Sequence, residues 1–291
     1  MKKYLLSIYL ILVLLPLAAY PAIQQIAISL PLKTTVASST IKEYVETNFY
    51  FTEEVHCRIL NIGVNDIYLV EAGSEKYVLR LSRTDKNLTL THSEFLFELE
   101  WLEFLHFHRI PVSYPIHRLD NKLFGEIEAP EGLRFATLFS YAEGTPDMDA
   151  KRAFLLGEAL AQLHIASDLF VTSCERDHLD ITRLIDIPLR TIKDALGELW
   201  QKEVQQLENL AEKLRSEIMA LDKKKGTYGI IAGDIHGDNQ HFTQDNQVTM
   251  FDFEFCAYGY RIYDIATFRW GRGISKDLWH AFLEGYQTIR T

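Results

Sequence analysis

The sequence predicts an α+β chain of two lobes, a small β-rich N-lobe followed by a larger helical C-lobe. Three observations carry that expectation. From Cys57 to Ala142 the chain is mostly short β-branched and aromatic runs broken by turn residues. From Lys151 onward apolar residues recur with helical spacing. The two compositions meet at Glu143-Gly144-Thr145-Pro146, a short connector that would leave a cleft between the lobes.

In chain order, Lys2 and Lys3 precede an almost wholly apolar stretch from Tyr4 to Ile23, with no further charge before Lys33. A run of about 20 apolar residues would span a bilayer. The same run has the ingredients of a signal peptide, and an upstream extension from a misassigned start is the third reading. Residues 1–35 are therefore kept apart from the fold, residues 36–142 form the expected N-lobe and residues 143–291 the C-lobe.

Ser38-Ser39-Thr40 reads as an N-cap for a short amphipathic helix starting at Ile41. Cys57–Ile62, Asp66–Ala72 and Tyr77–Leu81 read as an antiparallel meander with a turn at Gly73-Ser74. Phe97, Trp101, Leu102 and Leu105 set a helical period over residues 93–108, and Phe124–Glu128 and Phe135–Tyr141 read as further strands. Leu155, Leu156, Ala159 and Leu163 share one face of a helix over residues 151–170. Residues 187–221 supply one or two more, rich in charge.

Composition limits what the chain can do. With 291 residues, 47% apolar and 24% charged, it has ample core material and is not disordered. A net charge of −10 excludes nucleic acid as the main partner. Cys57, Cys174 and Cys256 are too far apart in sequence for a zinc or redox pair.

The chemistry is concentrated in residues 230–266. Asp234 is followed at the fifth position by Asn239, and a small hairpin (Gln240–Thr243, then Val248–Phe251) leads to Asp252. Phosphoryl transfer needs such a set: a carboxylate to orient and deprotonate the attacking hydroxyl, and oxygen ligands for magnesium. An isolated Asp-x4-Asn pair would more simply be a turn. Its combination with Asp252, Tyr263-Asp264 and the Leu163-His164 helix favours a site.

These residues resemble the aminoglycoside phosphotransferase and choline-kinase-like branch of the protein-kinase-like fold, from about Val36 to the C-terminus. The family pattern H-G-D-x-H-x-x-N followed by I-D-F-D is matched by Gly233-Asp234-Ile235-His236-Gly237-Asp238-Asn239 and by Phe251-Asp252-Phe253-Glu254. The resemblance implies an ATP- and Mg2+-dependent phosphotransferase acting on a hydroxyl group of a small molecule. Asp234 would be the catalytic base, and Asn239 and Asp252 would hold the metal. Arg80 would contact the nucleotide phosphates, with Glu98 as its helix partner and Glu94 as the competitor. Asn65 would lie in the loop over the nucleotide, and Tyr141 in the hinge beside adenine.

The match has departures. Ala232 stands where the family has its first histidine, Glu254 replaces an aspartate, and the chain ends at Thr291, where relatives often continue. Two other readings therefore stay open, a protein Ser/Thr kinase and a nucleotide-binding protein with impaired catalysis. His236 and His164 read as structural histidines, the former bonded to backbone or to Asp264. Residues 143–200 carry eleven acidic and six basic residues, which suggests an acceptor bearing an amine. ATP chemistry puts the catalytic part in the cytoplasm, and membrane contact would run through residues 4–23 alone.

Overall fold

The computed structural model describes residues 33–83, 91–196, 200–271 and 273–290. The apolar stretch at residues 4–23 lies outside them, and among the described residues no helix is long and apolar enough to cross a membrane.

The N-lobe is built on five antiparallel strands: β1 (Val55–Ile62), β2 (Asp66–Ala72), β3 (Glu75–Leu81), β4 (Gly125–Ala129) and β5 (Gly132–Ser140). They lie in the order β1-β2-β3-β5-β4, so the expected meander is present and β5 closes against β3. Side chains alternate across the sheet. Tyr68, Val70, Leu79, Leu81, Ala136 and Leu138 face outward, beneath Ile41 and Val45 of α1 (Ser38–Asn48). The opposite face therefore receives Arg80, which the register sets between Ile67 of β2 and Thr137 of β5. The helix α2 (His92–Phe107) packs on that side.

The helix α1 starts at Ser38, not after Thr40, and Ala37 occupies the cap position without a side-chain bond. The reason lies upstream. Tyr68 Oη donates to Val36 O (2.6 Å), and Thr34 Oγ1 donates to Glu131 Oε2 (2.6 Å), so the entering chain is already pinned across the sheet. Buried Asp66 takes Lys33 Nζ at 2.6 Å and Arg134 Nη2 at 2.9 Å. Arg134 also donates to the carbonyls of Leu81 and Ser82, at the end of the strand that carries Arg80. Lys33, set aside with the N-terminal segment in the sequence reading, thus sits within the N-lobe.

The C-lobe contains α3 (Ala150–Ser167), a π turn at Thr182–Asp186, α4 (Ile187–Leu196), α5 (Gln201–Met219), α6 (Ile262–Trp270) and α7 (Lys276–Ile289). Two small sheets pair β6 (Tyr228–Ile231) with β9 (Ala257–Tyr260), and β7 (Gln240–Phe242) with β8 (Val248–Met250). The second pair is the hairpin expected before Asp252. The first was not evident, because its strands are four residues long and each contains a glycine. Helices α3 and α7 meet at their backbones: a Cβ at Gly157 would lie 2.1 Å from Phe282 O, and one at Gly285 2.0 Å from Phe154 O. One apolar core joins Phe97 and Trp101 of α2 to Leu163 of α3, Phe253 and Phe282, so α2 is seated on the C-lobe.

Candidate active site

The strand β6 delivers the chain to Ala232, where its backbone pattern ends and buried Asp264 takes over. The Asp264 carboxylate accepts from Ala232 N (2.7 Å) and Gly233 N (2.8 Å), satisfying two donors that have left the sheet. Gly233 has φ 87°, and a Cβ there would lie 2.2 Å from Phe255 O, so this turn requires glycine. The side chain of Ala232 is buried in the core. Support for the loop comes from Asp264 beneath it, and the methyl group of Ala232 leaves that support intact.

His164 of α3 holds Asp264 from the other side, Nε2 to Oδ2 at 3.0 Å, while Nδ1 lies 2.8 Å from Tyr286 Oη. The carboxylate can only accept, so Nε2 carries the proton and Nδ1 accepts from the tyrosine hydroxyl. Burial pushes the His164 pKa down to about 4, against the pull of Asp264. The imidazole is neutral in the folded protein. The unfolded chain, whose histidine titrates near 6.5, binds a proton that the folded chain refuses between those values. The stability this group contributes is complete above pH 6.5 and is lost as pH falls toward 4, roughly 3 kcal/mol at most. Urea midpoints of wild type and His164→Asn, compared between pH 7 and pH 4.5, test this: the wild type is expected to lose more stability on acidification. Parallel curves would contradict it.

Asp234 follows directly and is half-buried, with a side chain 34% exposed. Asn239 Nδ2 donates to Asp234 O (2.9 Å) and lies 3.3 Å from Oδ2, so the two residues brace each other across one tight loop. His236 does not reach Asp264. Its Nε2 is 3.3 Å from Asp234 Oδ2, because Asp264 is already filled by two amides and His164. The hydrogen bond to Asp234 raises the His236 pKa, against partial burial.

The β7–β8 hairpin then brings the chain back, and Phe251 N donates to Asn239 O (3.0 Å). Asp252 has φ 63°, a left-handed conformation that a non-glycine residue adopts only when its surroundings enforce it. Burial and the Glu254 carboxylate push its pKa up to about 6, opposed by Arg80. Asn239 commits Nδ2 to Asp234, which leaves Oδ1 as an acceptor. Asp252 and Asn239 thus offer oxygen donors alone, the chemistry of a hard divalent cation. Among the described residues no group of three or more His, Cys, Asp or Glu gathers into a metal cage.

Above this floor, Arg80 Nη1 and Nη2 each donate to a Glu98 carboxylate oxygen at 2.8 Å, both residues buried. Burial would lower the Arg80 pKa; the adjacent Glu98 carboxylate outweighs it and raises it. Glu94 does not compete, because it closes the capping box of α2 with Thr91. The side chain of Asn65 donates to Glu254 Oε2 (2.6 Å), linking the β1–β2 loop to the segment after Asp252. Tyr141 follows β5, with Lys76 Nζ 5.3 Å from the centre of its ring. Cys256 is buried and its thiol is pushed up to about 12 by burial, so it belongs to the core.

Sequence reading missed Arg176, which lines the site from the segment after α3. Nothing local marks it. Four of the eleven acidic residues of 143–200 are taken up by the fold: Asp168 pairs with Arg261 and Arg290, Asp177 with Arg183, Asp186 with Arg215, and Asp149 caps α3.

Comparison with known proteins gives a consistent picture. The sequence pattern of the phosphotransferase enzyme family matches residues 57–291. An uncharacterized protein of Synechocystis sp. is 36% identical over 275 residues, covering 88% of this chain and 75% of that protein. The homoserine kinase of Rhizobium etli is 27% identical over 241 residues, covering 78% and 68%. Among solved structures, amicoumacin kinase in complex with AMP-PNP, Ca2+ and Ami superposes with a TM-score of 0.71 at 20% identity, covering 88% of this chain and 79% of that one.

Proposed function

The chain belongs to the phosphotransferase enzyme family, and from that premise we propose that it is an ATP- and Mg2+-dependent kinase acting on the hydroxyl group of a small amino alcohol. The observation that carries the reading is the constellation itself. Asp234, Asn239 and Asp252 come together on one loop and hairpin, facing the Arg80–Glu98 pair of the other lobe. The names of the relatives, homoserine kinase and amicoumacin kinase, support a small hydroxylated acceptor with an amine.

In this reading Asp234 accepts the proton of the attacking hydroxyl and orients its oxygen toward the γ-phosphorus; the bond to the β-phosphate oxygen breaks as the new P–O bond forms. Asn239 and Asp252 would hold Mg2+, which neutralises charge building on the phosphates. Arg80, fixed by Glu98, directs cationic charge at the nucleotide phosphates, and its free hydrogen-bonding position is Nε. Asn65 covers the phosphates from the β1–β2 loop, and the backbone around Tyr141 receives the adenine. Residues 36–142 are then the nucleotide half and residues 143–291 the acceptor half.

The test is ATP consumption with Mg2+ across amino alcohols, neutral and anionic hydroxyl compounds, and hydroxyl-bearing proteins. Turnover confined to small amino alcohols is the expected result. A preference for anionic or neutral compounds would remove the amine from the proposal, and transfer to protein alone would overturn the small-molecule reading.

A further inference from the structure

We propose that Arg176 is a positioning residue that sets the segment after Asp252 against α2, and so holds the metal side and the phosphate side of the site in register. The proposal rests on the phosphotransferase reading above.

Arg176 comes from the segment after α3, belongs to neither the catalytic loop nor the hairpin, and is 8% exposed. Its guanidinium donates in three directions: Nε to Cys256 O (2.5 Å), Nη2 to Glu254 O, and Nη1 to Glu94 O (2.9 Å). It forms no ion pair among the described residues, so a buried positive charge is balanced by main-chain carbonyls. Two of these carbonyls follow Asp252. The third is in the first turn of α2, one turn before Glu98, which holds Arg80.

Apolar packing joins these surfaces on the core side, where the rings of Trp101 and Phe253 lie 5.5 Å apart and those of Phe97 and Tyr258 5.6 Å apart, but not around the opening beside Arg80. A cavity of about 310 Å3 lies between them, lined by Arg80, Glu94, Arg176 and Glu254 among others. The planar fork bridges the edge of an opening, where apolar contact carries little positional information. Its effect converges on Glu254, whose carbonyl is held by Arg176 while its carboxylate receives Asn65 Nδ2. Glu254 is thereby fixed at both ends. Asp252, two residues earlier, keeps its left-handed backbone only while the chain on each side is held. On one side the hairpin does this, through Phe251 N and Asn239 O. On the other side Phe253, packed against Trp101, and Arg176, bonded to Glu254 O, do so together.

The segment carrying Arg176 is itself anchored, which makes it a suitable reference. Glu175 N donates to Ser93 Oγ (2.8 Å), Tyr258 N to Asp177 O (3.0 Å) and Leu179 N to Tyr258 O (2.7 Å). Thr172 Oγ1 bonds Glu100 further along α2. Thr172 Oγ1 also accepts from Cys174 N (3.0 Å) within its own segment, and neither bond involves residues 254–256, so its loss weakens the segment without freeing them.

The experiment measures binding of AMP-PNP with Mg2+ by calorimetry, beside the Mg2+ dependence of turnover, in wild type, Arg176→Met, Arg176→Lys and Thr172→Val. Arg176→Met keeps the stem and removes every donor. Its Kd for the metal–nucleotide and its half-saturating Mg2+ are each expected to rise about tenfold or more, the range for residues that orient a metal ligand. The acceptor KM should stay near the wild-type value. Arg176→Lys should fall between the two, and it carries the test if the methionine variant fails to fold. Thr172→Val is expected to lower thermal stability without shifting the Kd. Wild-type Kd and metal dependence in the Arg176 variants would overturn the proposal, as would equal shifts in Thr172→Val. A wild type that binds no metal–nucleotide would overturn the functional reading itself.

Discussion

Asp234→Ala is expected to lower kcat by roughly 10²–10⁴-fold while leaving nucleotide affinity close to wild type, the usual size of a lost general base or orienting carboxylate. The expectation comes from where the residue sits. Asp234 is half-buried, and its polar contacts are Asn239 and His236 within its own loop. Removing its carboxylate leaves the loop held by Asp264, whose two amide bonds lie upstream. Asp252→Ala should behave differently, because that carboxylate stands between Arg80 and Glu254 and is the proposed metal ligand. Both kcat and metal-dependent nucleotide binding should fall. Steady-state kinetics paired with AMP-PNP titration separate the two patterns. An Asp234→Ala enzyme as active as wild type would remove the residue from the chemistry.

The part of this site that was legible in the sequence is the part whose geometry is local. Asp234 and Asn239 lie in one turn, and the β7–β8 hairpin needs only a few residues to return the chain to Asp252. Arg80 and Glu98 were legible for a related reason: a strand and the helix after it brought them together, and helix periodicity separates Glu98 from Glu94 by a turn. What escaped depends on contacts between residues distant in sequence. Asp264 reaches back to Ala232 and Gly233, His164 comes from a helix one hundred residues away, and Asn65 meets Glu254 across 189. No period or spacing encodes such pairs. Nor does an acidic excess counted along the chain say which carboxylates meet arginines in the fold, as Asp168 and Asp186 do. The same limit displaced the start of α1, where Tyr68 and Glu131 fix the entering chain before any capping serine is needed.

The Arg80–Glu98 pair should give the largest effect on stability, and it separates folding from function. Glu98→Leu leaves the Arg80 guanidinium buried with both terminal nitrogens unpaired, which is expected to cost about 3–5 kcal/mol. Arg80→Met leaves the fully buried Glu98 carboxylate without its partner and should cost a similar amount. The double variant Arg80→Met/Glu98→Leu removes both charges from a site already lined by Phe95 and Phe139, whose rings lie 5.6 and 4.9 Å from the guanidinium. It should therefore be more stable than either single variant, because desolvating two charges offsets most of what their attraction contributes. Nucleotide binding should not recover with it, since the Arg80 guanidinium proposed to face the phosphates is then gone. Urea unfolding of all four proteins, with AMP-PNP binding measured on the same samples, tests both halves. Additive losses within about 0.5 kcal/mol would mean that the two residues do not stabilise one another. If the double variant regained nucleotide affinity along with stability, the pair would be a structural element alone. The expected result is the opposite: a fold that tolerates an apolar substitute for the pair, and a phosphate site that does not.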